Sequence, residues 1–402
     1  MLRLEHFRHV VPDEVLAEIY ARARGLYGKH IVHVNATYQG GGVAEILFSL
    51  VSLMNDVGID AGWRILHGSQ EFFEVTKSFH NALQGAKLNL TEKKKSLYLK
   101  VNDNFARFTH LDHDCIIIHD PQPLSLIRSY RKHQPWIWRC HIDLTEPHKD
   151  LFDFMKGFLL KYDQIVFSSE KYFKKDFPID QRLMFPAINP LSQKNRHIGN
   201  KVIQEYITKA GVPMDKPVIT QVSRLDPWKD PEGIIDVFKL VKQKVDCRLV
   251  FCYNVASDDP EGLRMYNKVY RKANRFARKG DIIFVVGNNE SLVNSIQRFS
   301  NVIIQKSTRE GFCLAVTEAL WKGTPVVASN VGGIPSQIED GKNGFLLEPT
   351  DIEGFADRII RILKNPAEGK RLGNNGIETV RRKFLITRLL SDYLDMLNSI
   401  LK

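Results

Sequence analysis

The stretch Ser307-Thr-Arg-Glu310-Gly-Phe-Cys-Leu-Ala-Val-Thr-Glu318-Ala-Leu-Trp-Lys-Gly-Thr-Pro-Val-Val-Ala328 indicates the fold of this chain more clearly than any other. The apolar run before it predicts a buried strand, 314–322 predicts a helix that ends at Gly323, and Pro-Val-Val-Ala predicts the next strand. Glu310 therefore lies on a strand-to-helix loop, with seven residues between it and Glu318 in the first two helical turns. Open α/β sheets bind ligands at such loops, where backbone N–H groups of the helix start attract anions. Alternatively, both carboxylates are ordinary charges near a helix N-terminus.

The pattern Glu310-Gly-Phe, five residues, Glu318-Ala and then Gly-x-Pro-Val-Val resembles the signature of retaining nucleotide-sugar glycosyltransferases of family 4, which have the GT-B fold. The likeness continues through 330–335 and 340–347, and it departs from the family at Ser336, where Glu is frequent. The resemblance implies that Glu310 contacts the donor sugar and that Glu318 binds the ribose hydroxyls. It also implies that the donor site is lined by the loop residues Gly311, Phe312 and Leu314.

The length and composition describe a two-domain globular protein. With 402 residues the chain is too long for one ordinary core, and it fits two domains of about 200 residues each. Its 43% hydrophobic and 26% charged residues are typical of soluble globular chains. No apolar run approaches the roughly 18 residues of a membrane span, and the N-terminal residues contain no apolar signal core. We therefore expect a cytoplasmic protein with no membrane partner.

The five cysteines and the net charge of +11 do not indicate a metal or a nucleic acid. The cysteines form no Cys-x-x-Cys pair and several lie in apolar runs, so buried reduced thiols are expected and no metal site is predicted. The basic clusters at 93–95, 132–133 and 381–383 are scattered and have no interleaved aromatic residues, which argues against a nucleic-acid partner. A solvated surface and a site for a diphosphate account for the excess charge. The sequence leaves a homodimer open.

Short apolar runs alternate with helix-like segments such as 43–53 and 123–132 along the whole chain. This alternation predicts parallel strands joined by crossover helices. The predicted strands are 31–35, 61–65, 115–118, 135–138 and 164–167 in the first half and 218–222, 248–251, 281–285, 302–305 and 325–328 in the second.

A stretch rich in Pro and polar residues at 185–195 separates the two halves. We predict an N-terminal, acceptor-side domain over 1–190 and a C-terminal domain that binds the nucleotide sugar over 191–383. The tail 384–402 predicts a helix with one apolar face, and the resemblance implies that it crosses back to the first domain. The expected fold is α/β of the GT-B type, with two Rossmann-like domains facing each other across an interdomain cleft.

Two cations follow the first predicted strand of the second half. Arg224 and Lys229 would stand at the C-terminal end of that strand, where a forked donor and a point charge suit a diphosphate. The alternative is a surface turn with a salt bridge to Asp226 or Asp230. The resemblance favours the first hypothesis, because similar motifs in the family bind the donor phosphates. The nucleotide base is expected near two residues at second-domain strand ends, Asn254 and Asn288.

Three consecutive glycines in Thr37-Tyr-Gln-Gly-Gly-Gly-Val43 follow the first strand. Glycine lets the backbone approach a ligand closely, although such a run is a weak signal by itself. The spacing is neither a dinucleotide fingerprint nor a phosphate-binding Walker loop, because the required Gly and Gly-Lys-Ser/Thr positions are missing. The run matches the family's glycine-rich loop, which implies that Gly41 and Gly42 lie near the donor phosphates.

A histidine follows another first-half strand in Trp138-Arg-Cys-His-Ile-Asp143. A lone histidine is more often structural, but family members have one at a comparable strand end that contacts the donor hexose, so His141 is the candidate. With His119-Asp-Pro-Gln-Pro123 and the glycine loop, this segment resembles the trehalose synthase (glycosyltransferring) branch. Tyr38 is available as an aromatic wall for a sugar, and Trp138 is either wall or core. The implied acceptor side consists of Asn35, Tyr38, Gln39, Asp120, Gln122, His141 and Asp143.

The resemblance implies transfer of glucose from ADP- or UDP-glucose to free glucose, with retention and formation of trehalose. Departure of the diphosphate builds negative charge, which Arg224, Lys229 and the helix start after Glu310 would stabilise. The two carboxylates are then binding groups and not a glycosidase pair. Arg139 is the only fixed cation in the acceptor set, which favours glucose over glucose 6-phosphate. The predicted catalytic residues are Arg224, Lys229, Glu310 and His141.

No cofactor or protein-bound metal is expected, because no Asp-x-Asp motif ends a strand. Mg²⁺ could still accompany the diphosphate as a counterion. The partners expected are the nucleotide sugar and glucose. Two related activities stay open, a retaining trehalose phosphorylase and a transferase that forms sucrose or a sugar phosphate. A different class, an inactive carbohydrate- or nucleic-acid-binding protein, is disfavoured because Glu310, Glu318, Arg224 and Lys229 are all present.

Overall fold

The computed structural model describes residues 2–38, 41–254 and 260–401. The chain divides into two compact units. Unit 1 comprises Met1–Ala187 and Ile386–Lys402, and unit 2 comprises Ile188–Leu385. The sequence places the boundary at 190 and 191, inside the same Pro-rich stretch.

Unit 1 is built on six strands in the order β2-β1-β3-β4-β5-β6. Neighbouring strands pair in parallel, and the central strands are buried on both faces, which explains their continuous apolar runs. The strands are β1 His30–Asn35, β2 Asp60–Ile65, β3 Cys115–His119, β4 Trp136–Arg139, β5 Gln164–Phe167 and β6 Asp180–Leu183. The helices are α1 Asp13–Ala23, α2 Gly42–Asp56, α3 Gln70–Leu83, α4 Glu92–Phe108 and α5 Lys149–Leu159, with α13 Ile386–Ile400 from the C-terminal segment.

Unit 2 repeats the plan, with six strands in the order β12-β11-β10-β7-β8-β9. These strands also pair in parallel. The strands are β7 Val218–Arg224, β8 Arg248–Asn254, β9 Ile282–Val286, β10 Val302–Gln305, β11 Val326–Ser329 and β12 Phe345–Leu347. The helices are α6 Asn200–Lys209, α7 Pro231–Lys242, α8 Pro260–Ala277, α9 Glu290–Phe299, α10 Leu314–Trp321, α11 Ile352–Lys364 and α12 Pro366–Lys383.

The C-terminal helix α13 packs on α1 and α2 within unit 1. The apolar face that periodicity predicts for the tail is buried. The Asn398 amide donates to the Arg22 carbonyl at 2.8 Å and Asp395 forms an ion pair with the Arg22 guanidinium, which fixes α13 along α1. Burial of each large apolar side chain on this face stabilises the unit by about 1.5–3 kcal/mol. The buried residues of the predicted face are Leu389, Leu390, Tyr393, Leu394 and Leu397.

Two features differ from the sequence prediction. The segment 123–132, predicted to be an α-helix, contains only a 3-10 helix at Leu124–Ser129. The Tyr98 hydroxyl accepts the Ser125 N–H at 3.2 Å and the Tyr162 hydroxyl donates to the Leu124 carbonyl at 2.7 Å, so side chains replace α-helical hydrogen bonds there. The strands β6 and β12 were not predicted, because β6 is mostly polar and β12 has only three residues, so neither shows an apolar run of strand length.

Within the described residues, no helix combines the length and the apolar composition that crossing a lipid bilayer requires.

Candidate active site

Lys229 and Glu310, predicted to bind different parts of a donor, form an ion pair with each other in unit 2. Lys229 ends a 3-10 helix that follows β7, and Glu310 lies between β10 and α10. The Ser307 hydroxyl donates to the same Glu310 oxygen at 3.3 Å. Burial disfavours the charge on Lys229, but the attraction of Glu310 outweighs it and raises the pKa of Lys229. The lysine is therefore a fixed cation at the C-terminal edge of the sheet.

The turn that carries Lys229 is held by hydrogen bonds from its neighbours. The Gln221 amide donates to the Lys229 carbonyl at 2.9 Å, and the Asp226 carboxylate accepts the Trp228 N–H at 2.9 Å. Asp230 adopts the left-handed conformation, with φ 44°, and caps α7 by accepting a hydrogen bond from Gly233 N–H at 3.0 Å. A Cβ at Gly233 would lie 2.1 Å from the Asp230 carboxylate oxygen, so a side chain at that position would displace the capping carboxylate.

The sequence analysis missed Lys306, whose buried ammonium forms an ion pair with Asp230. The alternative of a surface turn with a salt bridge to Asp226 or Asp230 does not hold for Lys229, because Lys229 pairs with Glu310 and Asp230 pairs with Lys306. Lys306 comes directly after β10, so the only signal for it is a cation at the end of a predicted strand. A contact between positions this far apart in sequence is not visible in local patterns.

Arg224 ends β7 with a side chain that is 60% exposed and a guanidinium nitrogen 3.5 Å from the Asp226 carboxylate. This is the surface pair that the sequence analysis gave as the alternative to a phosphate contact. Exposed pairs of this kind contribute only about 0–1 kcal/mol, so the pair does not prevent Arg224 from binding an anion. Arg224 is the register partner of Asn254 at the end of β8, and the exposed Asn288 follows β9. These three residues occupy the ends of neighbouring strands.

Glu318 lies in α10 and is buried, with 3% of its surface exposed. The Lys194 ammonium lies 3.3 Å from one carboxylate oxygen, and the Gln297 amide lies 3.5 Å from the other. The segment that carries Lys194 is also fixed to the end of α10, where the Lys322 ammonium donates to the Asn195 side chain at 2.8 Å. Lys194 was not identified in the sequence, since it lies in the stretch interpreted as a linker.

The start of α10 is shaped by contacts from the segment after β11. Cys313 has φ 73°, and the Gln337 amide donates to the carbonyls of Phe312 and, at 3.4 Å, Cys313. A Cβ at Gly333 would lie 2.7 Å from the Gly311 carbonyl, so glycine allows the two loops to approach. Ser336, where the family often has Glu, donates its hydroxyl to the Gly333 carbonyl at 2.6 Å and closes its own turn. These contacts fix the end of the loop between β10 and α10, where Leu314 begins the helix.

In unit 1, three histidines on or next to neighbouring strands form a continuous row. His33 lies in β1, His119 ends β3 and His141 follows β4. The distance from His33 Nδ1 to His119 Nε2 is 3.0 Å, and the distance from His119 Nδ1 to His141 Nε2 is also 3.0 Å. Burial lowers the pKa of His33 to about 3 and lowers the pKa values of His119 and His141 well below the ordinary value. The sequence analysis identified His141 and missed the role of His33.

Some of the predicted acceptor residues are exposed, and others form hydrogen bonds that shape the loops after the strands. Asp120 has φ 62° and accepts the His141 N–H at 2.8 Å, and burial raises the pKa of its carboxyl to about 7. Tyr38 is 64% exposed, and Gln122 is half-buried. Gln39 lies outside the described residues. Gly41 precedes α2 in an extended conformation that any residue adopts, and Gly42 is the first residue of that helix.

Asn35 and Asp143 stabilise backbone turns. The Asn35 amide donates to the Thr37 carbonyl at 2.6 Å while its oxygen accepts from the Trp63 indole at 2.7 Å. Asp143 is buried and accepts both the N–H and the hydroxyl of Thr145, at 2.8 and 2.6 Å. These contacts explain why both residues are polar without involving a ligand, so a role in acceptor binding stays a prediction.

Trp138 belongs to the core and does not form a wall of the site, because it is 1% exposed and its indole donates to the Asp120 carbonyl at 2.9 Å. Arg139 is also buried, and its guanidinium donates to the Met184 carbonyl at 2.8 Å and lies 3.4 Å from the Ser168 hydroxyl. The fixed cation that the sequence places in the acceptor set is thus directed at the backbone of β6 and its neighbours. The burial of Trp138 and Arg139 was not predictable from the sequence, because the order of residues along β4 does not show which side chains are covered.

Comparison with known proteins identifies the class. The family profile described as "Glycosyl transferases group 1" matches residues 202–379. A solved structure of a UDP-forming alpha,alpha-trehalose-phosphate synthase from Burkholderia xenovorans superposes with a TM-score of 0.76 over 93% of this chain and 100% of that chain, at 16% identity. Two parallel six-stranded sheets with helices are the architecture of GT-B glycosyltransferases, and the chain is a hexosyltransferase of that class.

Relatives over the whole length identify the family. The profile described as "Trehalose synthase, N-terminal domain" matches residues 33–174. The trehalose synthase of Thermococcus litoralis is 45% identical over 401 residues, covering 99% of this chain and 97% of the relative. That of Rubrobacter xylanophilus is 39% identical over 411 residues, with coverage of 99% and 97%. The chain belongs to the trehalose synthase family and is a trehalose-related glycosyltransferase.

Proposed function

We propose that the chain transfers glucose from a nucleoside-diphosphate glucose, ADP- or UDP-glucose, to the anomeric hydroxyl of free glucose, with retention and formation of trehalose. One observation carries this proposal: the similarity to trehalose synthases runs from end to end and so includes both the donor-binding unit 2 and the histidine-bearing unit 1.

The donor residues are proposed to act through an exchange of partners. Arg224 and Lys229 bind the diphosphate, Glu310 binds the hexose and Glu318 binds the ribose. A diphosphate that takes the Lys229 ammonium would release the Glu310 carboxylate, which could then accept hydrogen bonds from sugar hydroxyls. The positive charge at this edge stabilises the leaving diphosphate. The ion pair between Lys229 and Glu310 supports this order of events, because it keeps both groups charged and oriented at one place.

Unphosphorylated glucose is the proposed acceptor because of where Arg139 lies. A phosphate on the acceptor is usually bound by Arg or Lys. Arg139 donates to protein carbonyl and hydroxyl groups inside unit 1 and so does not serve this purpose. Tyr38, Asp120, Gln122 and His141 are polar or aromatic groups suited to the hydroxyls and faces of a hexose.

Product analysis with four acceptors tests the proposal. Glucose, glucose 6-phosphate, fructose and inorganic phosphate are each offered together with ADP-glucose or UDP-glucose. We expect a non-reducing disaccharide of two glucoses from the glucose reaction alone. Product only with glucose 6-phosphate or fructose would replace the proposed acceptor. Rapid formation of glucose 1-phosphate from trehalose and phosphate, without nucleotide, would identify a phosphorylase.

The two carboxylates are expected to separate nucleotide binding from transfer. Glu318→Gln should weaken the binding of free ADP or UDP by roughly ten- to a hundredfold, because a charge-assisted hydrogen bond contributes about 1.5–3 kcal/mol. Glu310→Gln should not weaken nucleotide binding, because it removes the carboxylate that competes with the diphosphate for Lys229, and it should slow transfer. Calorimetry and initial rates measure the two effects, with Glu205→Gln on the exposed face of α6 as the control. The reverse division would exchange the two assignments.

We propose that no protein-bound metal is required. Among the described residues no group of three or more His, Cys, Asp or Glu is arranged to hold a metal ion. A divalent ion could still bind through the phosphates of the substrate. Transfer is therefore expected to continue in excess chelator at a rate within a few-fold of the untreated enzyme. Complete loss of activity that one divalent ion restores would contradict this proposal.

A further inference from the structure

His33, His119 and His141 form a row in which each imidazole contacts the next through ring nitrogens. Both links measure 3.0 Å, and the rings of His119 and His141 are nearly parallel, at 14°. His33 and His119 are fully buried, whereas His141 is partly exposed at the end of the row. Within the part of the chain that the structure describes, the outer nitrogen of His33, Nε2, is buried without a hydrogen-bond partner.

The row has only two self-consistent arrangements of protons. A neutral imidazole has one N–H and one lone pair, and every link needs one of each. Burial disfavours the charged form of all three rings. In the first arrangement each ring carries its proton on Nδ1. In the second each ring carries it on Nε2. If the proton of one ring moves to its other nitrogen, the protons of the other two rings must therefore move as well.

The buried end of the row selects between the two arrangements. In the second, His33 would hold an N–H in the core with no acceptor among the described residues, which is a rare and costly state for a buried donor. The first arrangement leaves only a bare lone pair at that nitrogen. The ring of Tyr393 lies 5.7 Å from the His33 ring, centroid to centroid, and a ring face is only a weak acceptor.

We propose that His33 and His119 are positioning residues that fix His141 as the Nδ1–H tautomer, so that His141 is a hydrogen-bond donor to a sugar oxygen. The contact with sugar rests on the proposed function, whereas the tautomer does not. Because the Nε2 lone pair of His141 accepts from His119, His141 has no lone pair with which to take a proton from the acceptor hydroxyl. His141 is therefore a binding donor and not the base of the reaction.

Nitrogen NMR on the full-length protein tests the tautomer directly. The chain is labelled with ¹⁵N-histidine, and long-range ¹H–¹⁵N correlations distinguish protonated from bare ring nitrogens. The signals of His141 are those that disappear in His141→Gln. We expect Nδ1 of His141 to be protonated and Nε2 to be bare in the unsubstituted protein. A protonated Nε2 on His141 in the unsubstituted protein would by itself overturn the proposal.

Two substitutions at His119 then test whether the row acts on His141. His119→Phe removes the N–H that Nε2 of His141 accepts, and because His141 is partly exposed, either of its ring nitrogens can then hold the proton. Both tautomers of His141 should therefore appear. His119→Asn places an amide near the former Nδ1, and its N–H group can again donate to Nε2 of His141, which should favour the original tautomer. We expect kcat/KM for the nucleotide sugar to fall by roughly tenfold in His119→Phe, the value of one hydrogen bond, and to recover in His119→Asn. Affinity for the free nucleoside diphosphate should not change in either variant.

The outcomes separate the two levels of the proposal. If the tautomer of His141 is as expected but no acceptor yields product, the proposed function is wrong, whereas the proposal that the row fixes the tautomer is retained. If transfer to glucose occurs but the His141 signals are the same in all three proteins, the row does not position His141 and this proposal fails. Equal loss of activity in both His119 variants with an unchanged tautomer would mean that His119 is only a core residue.

Discussion

Lys229→Met is expected to abolish transfer and to destabilise unit 2, whereas Lys229→Met combined with Glu310→Gln should recover the stability alone. Removal of one partner from a buried ion pair leaves an uncompensated charge, which typically costs about 3–5 kcal/mol. Both side chains of this pair are largely buried. Replacing both charges removes that cost. Transfer should fall by roughly a hundredfold or more in both proteins, because each lacks the cation that we propose to stabilise the leaving diphosphate.

Denaturant unfolding and initial rates measure these two effects on the same samples. The matched control is Lys209→Met on the exposed face of α6, where the ion pair with Glu205 should contribute little. Stability in the single variant that equals that of the unsubstituted protein would show that the pair is not effectively buried in solution. Near-normal transfer by the double variant would remove Lys229 from the catalytic set.

His33→Phe is expected to make stability less sensitive to acid. Burial lowers the pKa of His33 to about 3 in the folded state, while the unfolded chain has the ordinary value of about 6.5. A depressed histidine pKa means that only the unfolded state binds the proton between these values. Stability is therefore fully present above about pH 6.5 and is lost as the pH falls below it. For His33 alone the loss between pH 7.5 and pH 5 is about 2 kcal/mol.

The difference between two titrations isolates this contribution. Asp120, whose pKa is raised, has the opposite effect on stability over part of the same pH range, but it is present in both proteins and cancels in the difference. The free energy of unfolding is measured against pH for the unsubstituted protein, for His33→Phe and for His110→Phe, an exposed control. A pH dependence that is identical in all three proteins would contradict the expected burial of a neutral His33.

The central strands of both sheets were predictable because parallel strands buried on both faces must be continuously apolar. Residues 164–167 and 302–305 show this, since the predicted and observed bounds agree. The helix α10 was equally clear, because Gly323 ends it and an apolar strand precedes its loop. The strands β6 and β12 were not predictable in this way, because β6 is mostly polar and β12 has only three residues.

The partners of the candidate site residues were not predictable from local sequence. Lys229 and Glu310 are 81 positions apart, and the sequence supplies their types and strand-end positions but not their pairing. The contacts among the three histidines were not predictable either, because in the sequence His33 is a single polar residue in an apolar strand. Trp138 and Arg139 illustrate the converse: their chemistry suggested a ligand, but the packing of β4 between β3 and β5 buries both.

The placement of α13 has a consequence for how the protein is made. Unit 2 is a continuous segment, whereas unit 1 is assembled from a long N-terminal piece and a helix that is translated after all of unit 2. During synthesis, unit 2 can complete its sheet while the surfaces of α1 and α2 that α13 will cover are still exposed. The nascent N-terminal segment thus exposes an unfilled hydrophobic surface for the time it takes to translate about 200 further residues, at about 5–20 residues per second. Chaperone contact on the ribosome is expected to concentrate on those surfaces of α1 and α2.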